Sequence, residues 1–186
     1  WELRSDEANI YSVSLGSGVL TQITDLPGAE RSPAVSPNGK LLAISYEKSR
    51  SLAFTPDRIA TVDLSTNDVR ILTEAVDGDA ANILWRADGK ALYFAFDERG
   101  ERHIKQVTLN KAGSPVATGL GGTSVGRPYL SGGFHTAGGV IAYTKGGPDR
   151  PADIAVMQRK TPKIITALND DLCLLYTSDA ADEVDS

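Results

Sequence analysis

The chain has 186 residues, a formal net charge of −5, 41% apolar residues and 23% charged residues. That length and balance fit one globular domain with a sizeable core and exclude a disordered chain. The charge excludes a nucleic-acid binder that relies on a basic footprint, and no apolar run approaches the roughly 20 residues of a membrane-spanning helix.

Trp1 opens the sequence without a methionine or a leader. The N-terminus is therefore expected to be missing, which leaves export and compartment unreadable. Cys173 is the single cysteine and has no histidine cluster around it. Neither a disulfide framework nor a structural zinc site is expected, and no cofactor is called for.

In chain order, Asn9 to Thr24 holds a strand pair: Ile10, Val13 and Leu15, a turn at Gly16 to Gly18, then Leu20 to Thr24. Ser32 to Tyr46 reads as a hairpin in which Pro33 to Val35 meets a Pro37-Asn38-Gly39 turn and Leu41 to Ile44 follows. Asn-Gly is expected to supply the positive backbone dihedrals of that turn. A second pair runs from Ile59, Val62 and Leu64 through Ser65 to Asp68 into Val69 to Thr73. The hairpin phrase returns at Asn82 to Phe96, with Gly89 fifty residues after Gly39. A third pair joins Ile104, Val107 and Leu109 to Val116 to Thr118. A worn hairpin copy runs from Arg127 to Gly133 and on to Val140 to Thr144, and a last, shorter pair covers Ile154 to Thr166.

From isoleucine to isoleucine the steps are 49, 45 and 50 residues, and in the first three pairs the closing threonine lies fourteen residues on. Each unit then has four short strands. Inner segments such as Ala91 to Phe96 are apolar at almost every position, implying burial on both faces. No window carries a helical period. Four-stranded repeats of this length predict an all-β fold, a β-propeller, here a partial ring of about three and a half antiparallel blades. The expected blade remnants are 1–28, 29–78, 79–120 and 121–172. A β-sandwich does not predict such a recurrence. Leu52 to Phe54, in the loop from Glu47 to Asp57, is expected to pack on its own blade rather than form a binding lip.

Cys173 to Glu183 is similar to the translation of a transposon adapter used in short-read DNA library preparation. The resemblance implies that 173–186 is a non-native tail; the alternative is a natural acidic tail.

Gly122-Thr-Ser-Val-Gly126 matches the pattern of a nucleophile elbow, which needs a strand before the serine and a helix after it. Gly-rich residues precede it and Arg127-Pro128 follows, opposing a helix, so Ser124 is read as a connecting-loop residue. His103 sits at a repeat position and His135 in a glycine-rich turn, and neither suits a triad with Ser124. Asp77 with Asp79, and Asp170 with Asp171, are read as turn formers. The polar column before the first strand of each blade holds Ser32, Asn82 and Arg127. Innermost strands line a propeller's channel, which makes these three the channel-lining candidates; Arg127 has the planar donor fork suited to a carboxylate. A surface turn is the competing reading.

Ser36-Pro-Asn-Gly-Lys40 and Arg86-Ala-Asp-Gly-Lys90 resemble the blade repeat of TolB-type and prolyl oligopeptidase-family propellers. Gly146 to Ala155, with Pro151-Ala-Asp-Ile154, and Ile164 to Leu172 resemble the last blade of the acylaminoacyl-peptidase and dipeptidyl-aminopeptidase branch. That resemblance implies a serine peptidase acting on short peptides, in which the propeller gates access to a C-terminal α/β-hydrolase domain. In the family the triad lies wholly in that domain, so no catalytic residue is expected in this chain and the chain alone is expected to be inactive. The alternative is a stand-alone TolB-like propeller that binds a protein or peptide.

Overall fold

The computed structural model describes residues 8–48, 55–74, 76, 78–122, 131–147, 150–158, 161–168 and 170–171. Its elements are all strands: β1 (Tyr11–Val13), β2 (Leu20–Gln22), β3 (Ala29–Val35), β4 (Leu41–Glu47), β5 (Arg58–Asp63), β6 (Val69–Ile71) and β7 (Ala80–Trp85). The rest are β8 (Ala91–Glu98), β9 (Glu101–Thr108), β10 (Lys111–Leu120), β11 (Phe134–Ala137), β12 (Val140–Gly147), β13 (Arg150–Met157) and β14 (Pro162–Ile164). They make a half blade, β1–β2, and three four-stranded antiparallel blades. The chain divides into two compact units, Trp1–Phe96 with Lys105–Pro115, and Asp97–Ile104 with Val116–Ser186.

In the first unit, the sheet order is β3-β4-β5-β6, and β7 is followed by β8, β9 and β10 in the next sheet. Leu42, Ala43 and Ile44 of β4, like Ile59, Ala60 and Val62 of β5, are buried on alternate faces. This is why these strands read as unbroken apolar runs. One face packs Leu42, Ile44, Tyr46, Ala60 and Val62 against Ile10, Ile23 and Leu26 of the half blade. The other packs Ala43 and Ile59 with Ile83, Trp85, Leu92, Phe94 and Phe96 of the following blade. Each large side chain buried in these layers contributes about 1.5–3 kcal/mol of transfer free energy. Between the two sheets the Trp85 indole N–H donates to the Ala34 carbonyl at 2.8 Å.

In the second unit the order is β14-β13-β12-β10-β9, with β11 also paired to β12. Its last blade alternates instead: Ile141, Tyr143, Ala155 and Met157 are buried, whereas Ala142, Thr144, Ile154 and Val156 are only half-buried.

The recurrent isoleucine and threonine have a common geometry. The threonine hydroxyl oxygen accepts the isoleucine backbone N–H at 3.0 Å for Thr24 and Ile10, and at 2.8 Å for both Thr73 with Ile59 and Thr166 with Ile154. Beside each, the residue before the threonine donates its N–H to the isoleucine carbonyl, at 2.8, 2.8 and 2.9 Å. Each threonine thus closes a hairpin end, and at Ile59, where the site is buried, the hydroxyl supplies the backbone donor with its acceptor. Thr118 instead lies within the continuous strand β10 and is exposed.

Two expectations about turns are corrected. In the Pro37-Asn38-Gly39 turn only the glycine is left-handed, with φ 71°, and Gly89 matches it at 67°. Asn38 and Asp88 act through their side chains, each accepting the next lysine's backbone N–H at 3.0 Å. The loop closes by Gly39 and Gly89 N–H bonds to the carbonyls of Ser36 and Arg86, both 2.8 Å. In the third hairpin the turn is Gly138-Gly139, with φ 56° and 78°, between paired Ala137 and Val140. Two positive dihedrals match the two-residue turn that follows strand twist. His135 consequently lies in β11, not in the turn.

Candidate functional site

Ser32 and Asn82 occupy one repeat position, and the structure gives them one conformation. Both have φ 52°. Each sits in a bulge on the first strand of its blade, where the register shifts between Arg31 and Ala34 in β3 and between Ala81 and Leu84 in β7. Two residues there oppose one on the partner strand, which bends the edge and re-aims a side chain. Both residues are exposed. A left-handed backbone costs a non-glycine residue about 1–2 kcal/mol, and local strain of this kind recurs where side chains are presented for binding. The Trp85–Ala34 hydrogen bond ties the two strands two or three residues beyond the bulges. The hydroxyl of Ser32 and the carboxamide of Asn82 are neutral groups able to donate and accept hydrogen bonds.

Arg127, the third channel candidate, lies outside the described residues, as do Ser124, Leu52 to Phe54, Asp77 and the segment 173–186. His103 has its Nδ1 buried without a hydrogen-bond partner. Asp79 accepts the backbone N–H of Asp57 at 3.0 Å. Burial first, then the charges of Asp79 and Glu47, push the Asp57 carboxyl upward against the opposing pull of Arg31. Among the described residues no group of three or more His, Cys, Asp or Glu side chains is placed to hold a metal ion.

Two buried carboxylates escaped the reading of the sequence. Glu30 accepts Leu26 N–H at 2.8 Å, Ile10 N–H at 3.2 Å and the Thr24 hydroxyl. Asp153, inside Pro151-Ala-Asp-Ile154, accepts the Thr166 hydroxyl at 2.8 Å and Leu168 N–H at 2.9 Å. Arg150 bonds Asp153 at 2.9 Å and also reaches Asp170. The Leu168 amide, then the Thr166 hydroxyl, then Arg150 hold the Asp153 carboxyl below the ordinary carboxylate range. Both acids therefore fasten the segment that follows a closing threonine. A charged letter in a strand was the available signal, but its partners lie 3 to 20 residues away in the sequence.

No protein-family model matches the chain, and no curated protein matches it. Solved structures do. TolB from Acinetobacter baumannii is 24% identical with a TM-score of 0.60, over 85% of this chain and 37% of its own. The β-propeller domain of the Trilobed protease from Pyrococcus furiosus is 16% identical with a TM-score of 0.64, over 87% of this chain and 44% of its own. Pyrococcus horikoshii acylaminoacyl peptidase is 15% identical with a TM-score of 0.56, over 85% of this chain and 27% of its own. The chain therefore spans less than half the length of each of these three. The fold is a β-propeller of the kind found in TolB and in the propeller domains of peptidases.

Proposed function

We propose that the chain is the non-catalytic propeller portion of a serine peptidase that cleaves short peptides. It serves as the access gate and contact surface for an α/β-hydrolase domain further along the polypeptide. The observation that carries this reading is the last blade. Its Pro151-Ala-Asp-Ile154 strand resembles the peptidase branch, and the same Asp153 fastens the Thr166–Leu168 segment that follows. The similarity in fold to peptidase propellers is compatible with it. In this reading substrates are selected by size before they reach the triad, and Ser32 and Asn82 offer hydrogen bonds along the route.

The test is to determine the coding sequence beyond the Leu172 codon and assay the extended protein on short peptides. A hydrolase domain with a Gly-x-Ser-x-Gly elbow after a strand, and peptide hydrolysis, are expected. Absence of that domain overturns the reading. In the extended enzyme, Ser124→Ala should leave activity within about twofold, whereas loss of a triad residue costs several orders of magnitude. A second reading, a TolB-like propeller that binds a protein or peptide without chemistry, is favoured by the 24% identity to TolB.

A further inference from the structure

The second unit holds a cavity of about 170 Å³ where β10 approaches the last blade. Val116 and Ala117 of β10, Met157 of β13 and Pro162 of β14 give it apolar walls. Tyr143 and Lys145 of β12 and Thr118 of β10 supply its polar groups. Tyr143 and Lys145 stand two residues apart in one strand, so both project to the same face of the sheet. Tyr143 is 2% exposed, and its hydroxyl is buried without a hydrogen-bond partner. Burial pushes the Tyr143 phenol up, which keeps it a protonated donor at neutral pH. A buried hydroxyl left unpaired is costly. In the backbone ladder Lys145 lies between Leu120 and Asp153. The Asp153 carboxylate is committed to Thr166, Leu168 and Arg150. The Lys145 ammonium instead reaches β10, where a Cβ added at Gly119 would stand 3.4 Å from its Nζ. Among the described residues no carboxylate forms an ion pair with it.

We propose that this cavity binds a small carboxylate carried on an apolar body, with the Lys145 ammonium and the Tyr143 hydroxyl each donating to a carboxylate oxygen. A carboxylate only accepts hydrogen bonds, and its two oxygens can be shared between a cation and a neutral donor. One lysine balances its single charge, whereas a phosphate dianion would keep uncompensated charge against apolar walls. The volume is close to that of an apolar cavity of about 150 Å³ that takes benzene, so the body is one ring or one branched side chain. A free acid and the C-terminal residue of a peptide both offer this chemistry.

The test titrates the full chain with phenylacetate and with a tripeptide ending in leucine, each against its amide, by calorimetry and by the chemical shifts of the β12 amides. For a ligand of about ten heavy atoms a dissociation constant of about 1 mM is expected, with the amides bound about tenfold more weakly. Binding of phenylacetate identifies a free acid as sufficient; binding of the peptide alone identifies the C-terminal residue. Tyr143→Phe and Lys145→Met keep the packing, and each is expected to weaken binding of the acid about tenfold. Equal binding of acid and amide, a variant that binds like the parent, or no binding at about ten times that concentration overturns the proposal. Without ligand, Tyr143→Phe is expected to match or exceed the parent's urea midpoint, because it removes an unpaired buried hydroxyl. A lower midpoint shows that the hydroxyl already has a structural partner, and likewise overturns the proposal. None of these readouts uses peptidase activity, so they are separable from the test of function.

Discussion

Thr73, Thr24 and Thr166 do the same work at three places, and each does it with one oxygen atom. Replacing Thr73 by Val keeps the shape but leaves the buried Ile59 N–H without its acceptor. The expected cost is about 1–3 kcal/mol, read as a fall in the urea midpoint, with Thr73→Ser close to the parent. Equal stability of Thr73→Val would show that the hydroxyl is dispensable. Asp153 yields a pH prediction. Its folded pKa is depressed by its donors, so its stabilisation is complete above the unfolded value of about 4 and is lost as pH falls through the folded value. Asp153→Asn should lower stability at neutral pH and flatten the acid side of the profile; urea midpoints that run parallel to the parent's across this range would rule the role out. The isoleucine–threonine recurrence was legible in the sequence, and backbone closure accounts for it at Thr24, Thr73 and Thr166 but not at Thr118. Glu30 and Asp153 were not legible. They solve one problem from different strands, and a lone acid in a strand looks the same whether it is solvated or buried.

At the scale of elements, the hairpins show how far local chemistry reads correctly. Gly39 and Gly89 were identified as turn glycines, and their dihedrals bear that out. In the third hairpin His135 was read into a glycine-rich turn because glycines flank it on both sides, at Gly132-Gly133 and Gly138-Gly139, and only pairing to β12 places it in a strand. The bulges at Ser32 and Asn82 were invisible as bulges, although Pro33 after Ser32 and asparagine's tolerance of left-handed backbone hinted at them. Two substitutions probe these elements. A Cβ at Gly28 would collide with the Glu47 carbonyl and the Lys48 backbone, whereas at Gly39 it meets open space. Gly39→Ala should cost about 1–2 kcal/mol from its dihedral alone, and Gly28→Ala clearly more, as measured by thermal or urea unfolding. If the two cost the same, the close approach of β4 to Gly28 is not limiting. Trp85→Phe keeps the ring packed but removes the hydrogen bond to Ala34, for an expected loss of about 0.5–1.5 kcal/mol.

For the whole molecule, the repeat carried the fold: four strands at intervals near 50 residues left few architectures open. What the period does not record is exposure: Tyr11 and Val13 are as apolar as Ala60 and Val62, their buried equivalents, yet are 54% exposed. Glu30 has one more consequence. It belongs to β3, yet it holds Thr24, Ile10 and Leu26 of the preceding half blade. In a repeat chain, stability is a sum of unit energies and nearest-neighbour couplings, and this carboxylate is a coupling made of hydrogen bonds rather than of packing. Glu30→Ala should thus split one cooperative transition into two, with amides of residues 10–24 exchanging well before those of β4 and β5.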